Sequence, residues 1–386
     1  MKNILFIHQS ADLYGSDKTL LYLLESIKDV ANVIVVVPEE GPLTEEFKKL
    51  NIEVFIIPVI KVSRQLFTNF NVFKLPFQIY KAVSIFKKKL GNRKIDLIHS
   101  NTIAVFLGAF YSKIYNIKHI WHVHEIIQHP KMVAKAYPFL VDWFSDCVVF
   151  NSVASAEHLY KNKPKLKEKS TIIYNGLDRN VPISSKEEQM LLRNSLFKSI
   201  DKSSIVIGLV GRINRHKGQQ LLLSVFNELK KNPENNIYLL FVGSTIKSQL
   251  FLLEELKDEI KNKNLENFVT IVDFQKEIWK FYDCIDIVLV PTTDIESFGL
   301  VAIEGMLSKK PVIASNHGGL KEIVIHNKTG LLFEPNNASD LKKSIESLII
   351  NQNLIELYGK EGEKRAKFDF SLEKYVNNFK ALYNSF

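Results

Sequence analysis

The chain has 386 residues, 46% hydrophobic and 24% charged, with a formal net charge of +9. That length suggests two domains of roughly 150 residues each, and the composition is that of a soluble globular protein rather than a disordered or collagen-like one. No segment approaches the ~20 apolar residues of a membrane span, and two cysteines, Cys147 and Cys284, exclude a disulfide framework and suggest a reduced, cytoplasmic setting.

Residues 3–8 form an apolar run too short for a signal peptide, and read as a first buried strand. Residues 17–28 follow with helical periodicity, after the turn Tyr14-Gly15-Ser16-Asp17, where Ser16 is a natural helix cap. Strand-like segments recur at 33–37, 53–57, 96–99, 118–123, 147–150 and 171–174, with helical stretches between most of them. Such alternation argues for βαβ units and a parallel sheet.

The charge is uneven along this half. Between Glu53 and Asp96 there is no acidic residue, but nine cations: Lys61, Arg64, Lys74, Lys81, Lys87, Lys88, Lys89, Arg93 and Lys94. Within that segment residues 76–90 read as a helix, with Pro76 in its first turn. Ile79, Tyr80, Val83, Phe86 and Leu90 form one apolar stripe, and Lys81, Lys87, Lys88 and Lys89 crowd elsewhere. A basic amphipathic helix of this kind lies on an anionic membrane. The plainer alternative is a stripe facing the sheet, with solvated lysines. No nucleic-acid-binding module is recognisable.

Residues 178–204 are polar and read as a linker region between domain 1–177 and domain 205–370. A second alternating series starts at 205–210. Its helix, 219–231, puts Leu222, Val225, Phe226 and Leu229 on one face. Strands are expected at 237–242, 268–272, 287–290 and 312–314, and a last helix at 371–386. The fold class is therefore α/β, two doubly wound Rossmann-like domains facing a central cleft, with ligands expected at the carboxyl ends of strands.

Two loops of the second half carry the chemistry. Gly211-Arg212-Ile213-Asn214-Arg215-His216-Lys217-Gly218 lacks the spacing of a Walker loop, and no Gly-x-Gly-x-x-Gly opens either half. What remains is an Arg fork and a mobile Lys just past a strand, a set suited to phosphate or to plain solvation. Glu296-Ser297-Phe298-Gly299-Leu300-Val301-Ala302-Ile303-Glu304 follows the 287–290 strand. Main-chain amides at Phe298, Gly299 and Leu300 open a helix, which favours anions and sugar oxygens. Glu304, one turn in, can accept from a vicinal diol such as ribose.

Trp121-His122-Val123-His124-Glu125 ends a strand, and alternation places His122 and His124 on one face. His124 and His129 are one residue too far apart for a helical zinc pair. No Asp-x-Asp pair occurs anywhere.

These motifs resemble the retaining glycosyltransferases of family 4, which have the GT-B fold, and the likeness extends over nearly the whole chain. It implies that Arg212 and Lys217 bind the donor diphosphate without a metal or cofactor, that Glu296 contacts the transferred sugar, and that Glu304 holds the ribose. It also implies donor contacts at Gly15, Phe298, Gly299 and Leu300, and catalytic roles for His124, Arg212, Lys217 and Glu296. Asn175-Gly176-Leu177-Asp178, Gly318-Gly319-Leu320-Lys321-Glu322 and Asn327-Lys328-Thr329-Gly330-Leu331-Leu332 look like further family turns. Only Gly15 stands where relatives carry two glycines, and Glu125 stands where they usually carry aspartate. The last helix of such proteins often crosses back to the first domain. The implied partners are a UDP- or GDP-sugar, a lipid-linked saccharide acceptor for surface polysaccharide (O-antigen or capsule), and an anionic membrane surface contacted by Lys81, Lys87, Lys88 and Lys89. The implied place is the cytoplasmic face of the plasma membrane. A nucleotide-sugar epimerase of the same architecture and a silent partner in a polysaccharide assembly complex are the alternatives.

Overall fold

The apolar runs of the first half pair into a parallel sheet in the computed structural model, which describes residues 1–57, 75–102 and 104–386. Its strands are β1 (Lys2–His8), β2 (Ala31–Val37), β3 (Glu53–Ile56), β4 (Leu97–Asn101), β5 (Lys118–Val123), β6 (Cys147–Phe150) and β7 (Ser170–Ile172). They lie in the order β3-β2-β1-β4-β5-β6-β7, so the winding reverses between β1 and β4. A parallel sheet is covered on both faces, and that is why its strands read as unbroken apolar runs. Ile4 and Phe6 pack with Leu20, Leu23 and Leu24 of helix Gly15–Ile27 and with Phe379 of helix Leu372–Asn384. Leu5 and Ile7 face the other way, toward Val83, Phe86 and Leu90 of helix Leu75–Leu90.

That last packing settles the helix's orientation. Val83, Phe86 and Leu90 are core residues, while Tyr80 of the expected stripe is 73% exposed beside the lysines. The apolar stripe is consumed by the sheet because burying it there removes it from water permanently. Lys61, Arg64 and Lys74 of the basic segment lie outside the described residues.

The second half forms another parallel sheet: β8 (Ile205–Val210), β9 (Ile237–Val242), β10 (Val269–Val272), β11 (Ile287–Val290), β12 (Val312–Ser315) and β13 (Gly330–Phe333). Their order is β10-β9-β8-β11-β12-β13, with the reversal between β8 and β11. Helix Gln219–Lys230 buries Leu222, Leu223, Val225, Phe226 and Leu229 against this sheet.

The chain divides into two compact units, Met1–Gly176 with Leu372–Phe386, and Leu177–Ser371. Residues 178–204, expected as a linker, thus belong to the second unit. They carry a helix, Lys186–Leu196, started by a Ser185–Glu188 capping box. Their charges look like solvated linker charges in sequence but make one buried and one half-buried pair. Arg179 bonds both oxygens of fully buried Asp283 at 2.7 Å, and Arg193 reaches Asp286 at 2.7 Å. The final helix joins the first unit, where Tyr383 hydroxyl meets His99 Nδ1 at 2.7 Å and Lys2 donates to the Tyr383 carbonyl at 2.8 Å.

Candidate functional site

In the second unit the two motif loops leave neighbouring strands. β8 and β11 pair in parallel with Ile207 opposite Ile287, at the point where strand order reverses. Such a reversal leaves a crevice beyond the carboxyl ends of the two strands. The basic loop follows β8 and the Glu loop follows β11.

The main chain holds these loops together. Asn214 Oδ1 accepts from the amides of His216 and Lys217 at 2.9 and 3.0 Å, folding the basic loop on itself. Thr293, after β11, donates from its amide to the His216 carbonyl at 2.9 Å and from its hydroxyl to the Arg215 carbonyl at 3.0 Å. Gly218, at φ +79°, opens the next helix, and a Cβ there would sit 1.9 Å from the Pro291 carbonyl oxygen. Only glycine permits that approach without strain.

Side chains complete the junction. Lys217 Nζ lies 2.6 Å from Glu296 Oε2, both groups about one quarter exposed. His216 Nδ1 and Asp294 make a more exposed contact at 2.6 Å. Glu304 is 8% exposed on helix Leu300–Leu307, and one oxygen accepts from the hydroxyl of fully buried Tyr282 at 2.6 Å. Burial, then the Glu304 charge, holds the Tyr282 phenol well above its ordinary pKa, so Tyr282 stays a donor. Sequence spacing offers no cue to Tyr282, which is 22 residues from its partner.

Phe298 is 2% exposed and stacks edge-on against Phe370 at 5.9 Å, so its ring is core and only its main chain can serve a ligand. Gly299, at φ +120°, caps the helix start against Leu320. The turn Gly318-Gly319 lies directly on the Glu loop. Gly319 donates to the Glu296 carbonyl at 2.9 Å, and a Cβ on Gly318 would fall 2.0 Å from the same oxygen.

Gly15 and His124 belong to the first unit. Gly15 is the first residue of helix Gly15–Ile27. Ser16 lies inside the helix rather than capping it: the N-cap residue is Tyr14, whose amide donates to Asp17 Oδ2 at 2.9 Å. His124 is 7% exposed, and its Nε2 contacts Asn101 Oδ1 at 2.9 Å. Burial and nearby His8 depress its pKa to about 3, with Asp17 opposing, so the ring is neutral. His122 is fully buried, packed 5.1 Å from Phe379, and neither of its ring nitrogens has a hydrogen-bond partner. Its ring lies 3.9 Å from that of His124, centroid to centroid. Residues 124–129 are not helical, which removes the geometry a His124–His129 zinc pair needs, and the described residues contain no group of three or more side chains placed to hold a metal.

Of the basic helix, Lys81, Lys87, Lys88 and Lys89 are all exposed. Lys89 donates to the Ile56 carbonyl at 2.9 Å, and Lys87 sits 5.1 Å above the Tyr115 ring. Phe77 and Tyr80 are exposed among them. Helix Lys131–Phe144 also turns Met132, Phe139, Leu140 and Trp143 outward, with Met132 82% and Trp143 73% exposed, a stripe that sequence reading missed. Spacings of seven and eleven residues from Met132 put Phe139 and Trp143 on one helical face. Among the described residues no helix is long and apolar enough to cross a membrane.

Comparison with known proteins agrees with this architecture. The family described as Glycosyltransferase Family 4 matches residues 15–181, and the family described as Glycosyl transferases group 1 matches residues 194–365. An uncharacterized glycosyltransferase of Methanocaldococcus jannaschii is 28% identical over 88% of this chain and 86% of its own length. A capsular polysaccharide biosynthesis glycosyltransferase, CapM, of Staphylococcus aureus is 29% identical over 47% of each chain. Among solved structures, Anabaena HepE in complex with UDP and glucose superposes with a TM-score of 0.85 at 24% identity, covering 100% of both chains. With both halves matched in sequence and the fold matched throughout, the chain is a family-4-like glycosyltransferase of the GT-B type.

Proposed function

We propose that the protein is a retaining, metal-independent transferase that moves a sugar from a nucleotide diphosphate to a lipid-linked saccharide of a surface polysaccharide. The observation that carries this reading is the junction of the basic and Glu loops at the β8–β11 reversal, with Lys217 2.6 Å from Glu296. Arg212 and Lys217 take the diphosphate, which makes a cation or other cofactor unnecessary. Glu304, oriented by Tyr282, accepts the ribose hydroxyls, and the amides at Phe298, Gly299 and Leu300 meet donor oxygens. Gly15 lets main chain approach a phosphate, and His124 accepts from a sugar hydroxyl.

Catalysis is electrostatic. As the bond from the anomeric carbon to the phosphate oxygen breaks, charge grows on the diphosphate beside two fixed cations. The acceptor oxygen then bonds to the anomeric carbon on the face the diphosphate leaves, and its proton passes to a departing phosphate oxygen. Glu296 is held by Lys217, and a carboxylate so paired is a weak nucleophile, which favours front-face attack over a covalent sugar on Glu296. HepE is described with UDP and glucose, which makes UDP-glucose a reasonable first donor to try. The name of the CapM relative supports capsular polysaccharide as the product class.

The test is transfer of radiolabelled sugar from UDP- and GDP-sugars to a lipid-linked saccharide in the presence of EDTA. Product should form with the anomeric configuration retained. The folded Arg212→Ala, Lys217→Ala double variant should lose nearly all transfer, and wild-type turnover in it would overturn the assignment. Epimerised donor with no acceptor product would favour the epimerase, and loss of activity restored by manganese would reveal a metal.

A further inference from the structure

The strand reversal in the first sheet brings the ends of β1, β4 and β5 side by side, with His8 opposite Asn101 and Asn101 opposite His122. Just past these ends four buried side chains make a continuous series of hydrogen bonds. Asp17 Oδ1 is 2.6 Å from His8 Nε2, His8 Nδ1 is 3.0 Å from Asn101 Nδ2, and Asn101 Oδ1 is 2.9 Å from His124 Nε2. None of the four residues is more than 7% exposed.

Donor and acceptor chemistry orders the series. Asp17 already accepts from Ser10 Oγ at 2.6 Å and from the Tyr14 amide at 2.9 Å. Burial opposes its charge, but donation by His8, Ser10 and Tyr14 wins and lowers its pKa, so it is a carboxylate. A carboxylate only accepts, so the proton between Asp17 and His8 sits on His8 Nε2. With that proton as the ring's single N–H, His8 Nδ1 is bare and accepts from the Asn101 amide nitrogen at 3.0 Å. The other end of that amide is an oxygen and only accepts. His124 must then carry its proton on Nε2. His8 Nδ1 also lies 3.2 Å from the Asn101 carbonyl oxygen. Using that contact needs a second proton on His8 and turns the Asn101 amide over, a distinct arrangement with the opposite result at His124.

We propose that Asp17, acting through His8 and Asn101, fixes His124 as the Nε2–H tautomer and so leaves Nδ1 as the acceptor it offers to a hydroxyl of the donor sugar. The last step rests on the assignment of His124 to the donor sugar made above. Asp17, His8 and Asn101 are positioning residues, acting on substrate only through His124. The main-chain turn at Tyr14-Gly15 and the site histidine are thereby coupled, because Asp17 both closes the helix start and anchors the series.

Imidazole nitrogen NMR on protein labelled at histidine decides this without any substrate. His124 is identified by the signal missing in His124→Gln. The wild type should show a protonated Nε2 and a bare Nδ1 at His124, with the same pattern at His8. In Asp17→Asn the new amide turns its NH2 toward His8, the proton moves to His8 Nδ1, the Asn101 amide turns over, and His124 becomes Nδ1–H. Transfer should fall on the order of tenfold in kcat, with UDP affinity unchanged. A merely structural role for Asp17 would leave the tautomer as it was. Nδ1–H at wild-type His124, an imidazolium at His8, or an unaltered tautomer in Asp17→Asn overturns the proposal. If Asp17→Asn does not fold, the wild-type spectrum decides alone. The expected tautomers in a protein that transfers no sugar would refute the functional reading and leave the relay standing.

Discussion

At the scale of single residues, the Lys217–Glu296 pair makes the two loops' charges interdependent. Without donor, Glu296 neutralises Lys217 at 2.6 Å. Lys217→Ala should cost on the order of 2 kcal/mol of transition-state stabilisation, roughly thirtyfold in kcat/KM. Glu296→Gln should slow transfer strongly yet bind UDP or GDP a few-fold more tightly, because the freed ammonium faces the diphosphate alone. Isothermal titration of both variants checks the pair, and weaker nucleotide binding by Glu296→Gln would show that the carboxylate serves the nucleotide directly. Glu304 behaves oppositely. Glu304→Gln should lose about 1.4 kcal/mol of nucleotide affinity, a factor of ten. Tyr282→Phe should lose a smaller part of it, since the hydroxyl at 2.6 Å only orients that carboxylate. Unchanged affinity in both variants would remove ribose from the account of Glu304.

At the scale of elements, the backbone around the Glu loop is built so closely that side chains are excluded. Gly318 at φ +56° presses on the Glu296 carbonyl, so Gly318→Ala must displace the loop that bears Glu296. The helices of the first unit make a separate prediction. Helix Leu75–Leu90 spends its apolar face on the sheet, leaving lysines and the exposed Phe77 and Tyr80 outside. Helix Leu107–Tyr115 packs against it and against helix Lys131–Phe144, whose Met132, Phe139 and Trp143 are exposed. Lysines beside outward apolar rings match an anionic bilayer, at about 1 kcal/mol per lysine and with a reach of about 10 Å at 0.1 M salt. Lys87 and Lys89 have partners within the protein, so Lys81 and Lys88 should contribute more. Changing Lys81, Lys87, Lys88 and Lys89 to Ser should abolish flotation with anionic vesicles at low salt. Met132→Ser with Trp143→Ser should weaken it at both low and high salt, because apolar insertion is not screened. Wild-type protein that never floats would end the membrane reading.

At the scale of the whole molecule, what was legible in sequence follows from what each signal encodes. Parallel strands buried on both faces leave unbroken apolar runs, so β1, β5, β8 and β11 stand out, and the loops after β8 and β11 declare themselves by composition. Burial of charge leaves no such mark. Arg179, Arg193, Asp283 and Asp286 read as solvated residues, yet they pack residues 178–204 into the second unit. Nor does sequence reveal that Tyr80 points outward or that Asp17, His8, Asn101 and His124 meet, because those contacts join residues up to 93 positions apart across a reversal of strand order. The same burial predicts how the protein responds to acid. His99, His119, His122 and His124 are all buried in the first unit, and burial lowers the pKa of each, His119 to about 4 and His124 to about 3. In the unfolded chain each titrates near 6.5. Between these values the unfolded state binds protons that the native state refuses, so stability is present above about pH 6.5 and falls as pH drops. Each histidine contributes a slope approaching 1.4 kcal/mol per pH unit between its folded and unfolded pKa. Denaturant unfolding followed through the fluorescence of buried Trp121 should therefore show a midpoint that falls steeply from pH 6.5 to 4.5. A second-unit signal from Trp279 should change less over that range, since that unit contributes none of the four histidines. A Trp121 transition indifferent to pH over this window would mean that the buried histidines are protonated in the folded state.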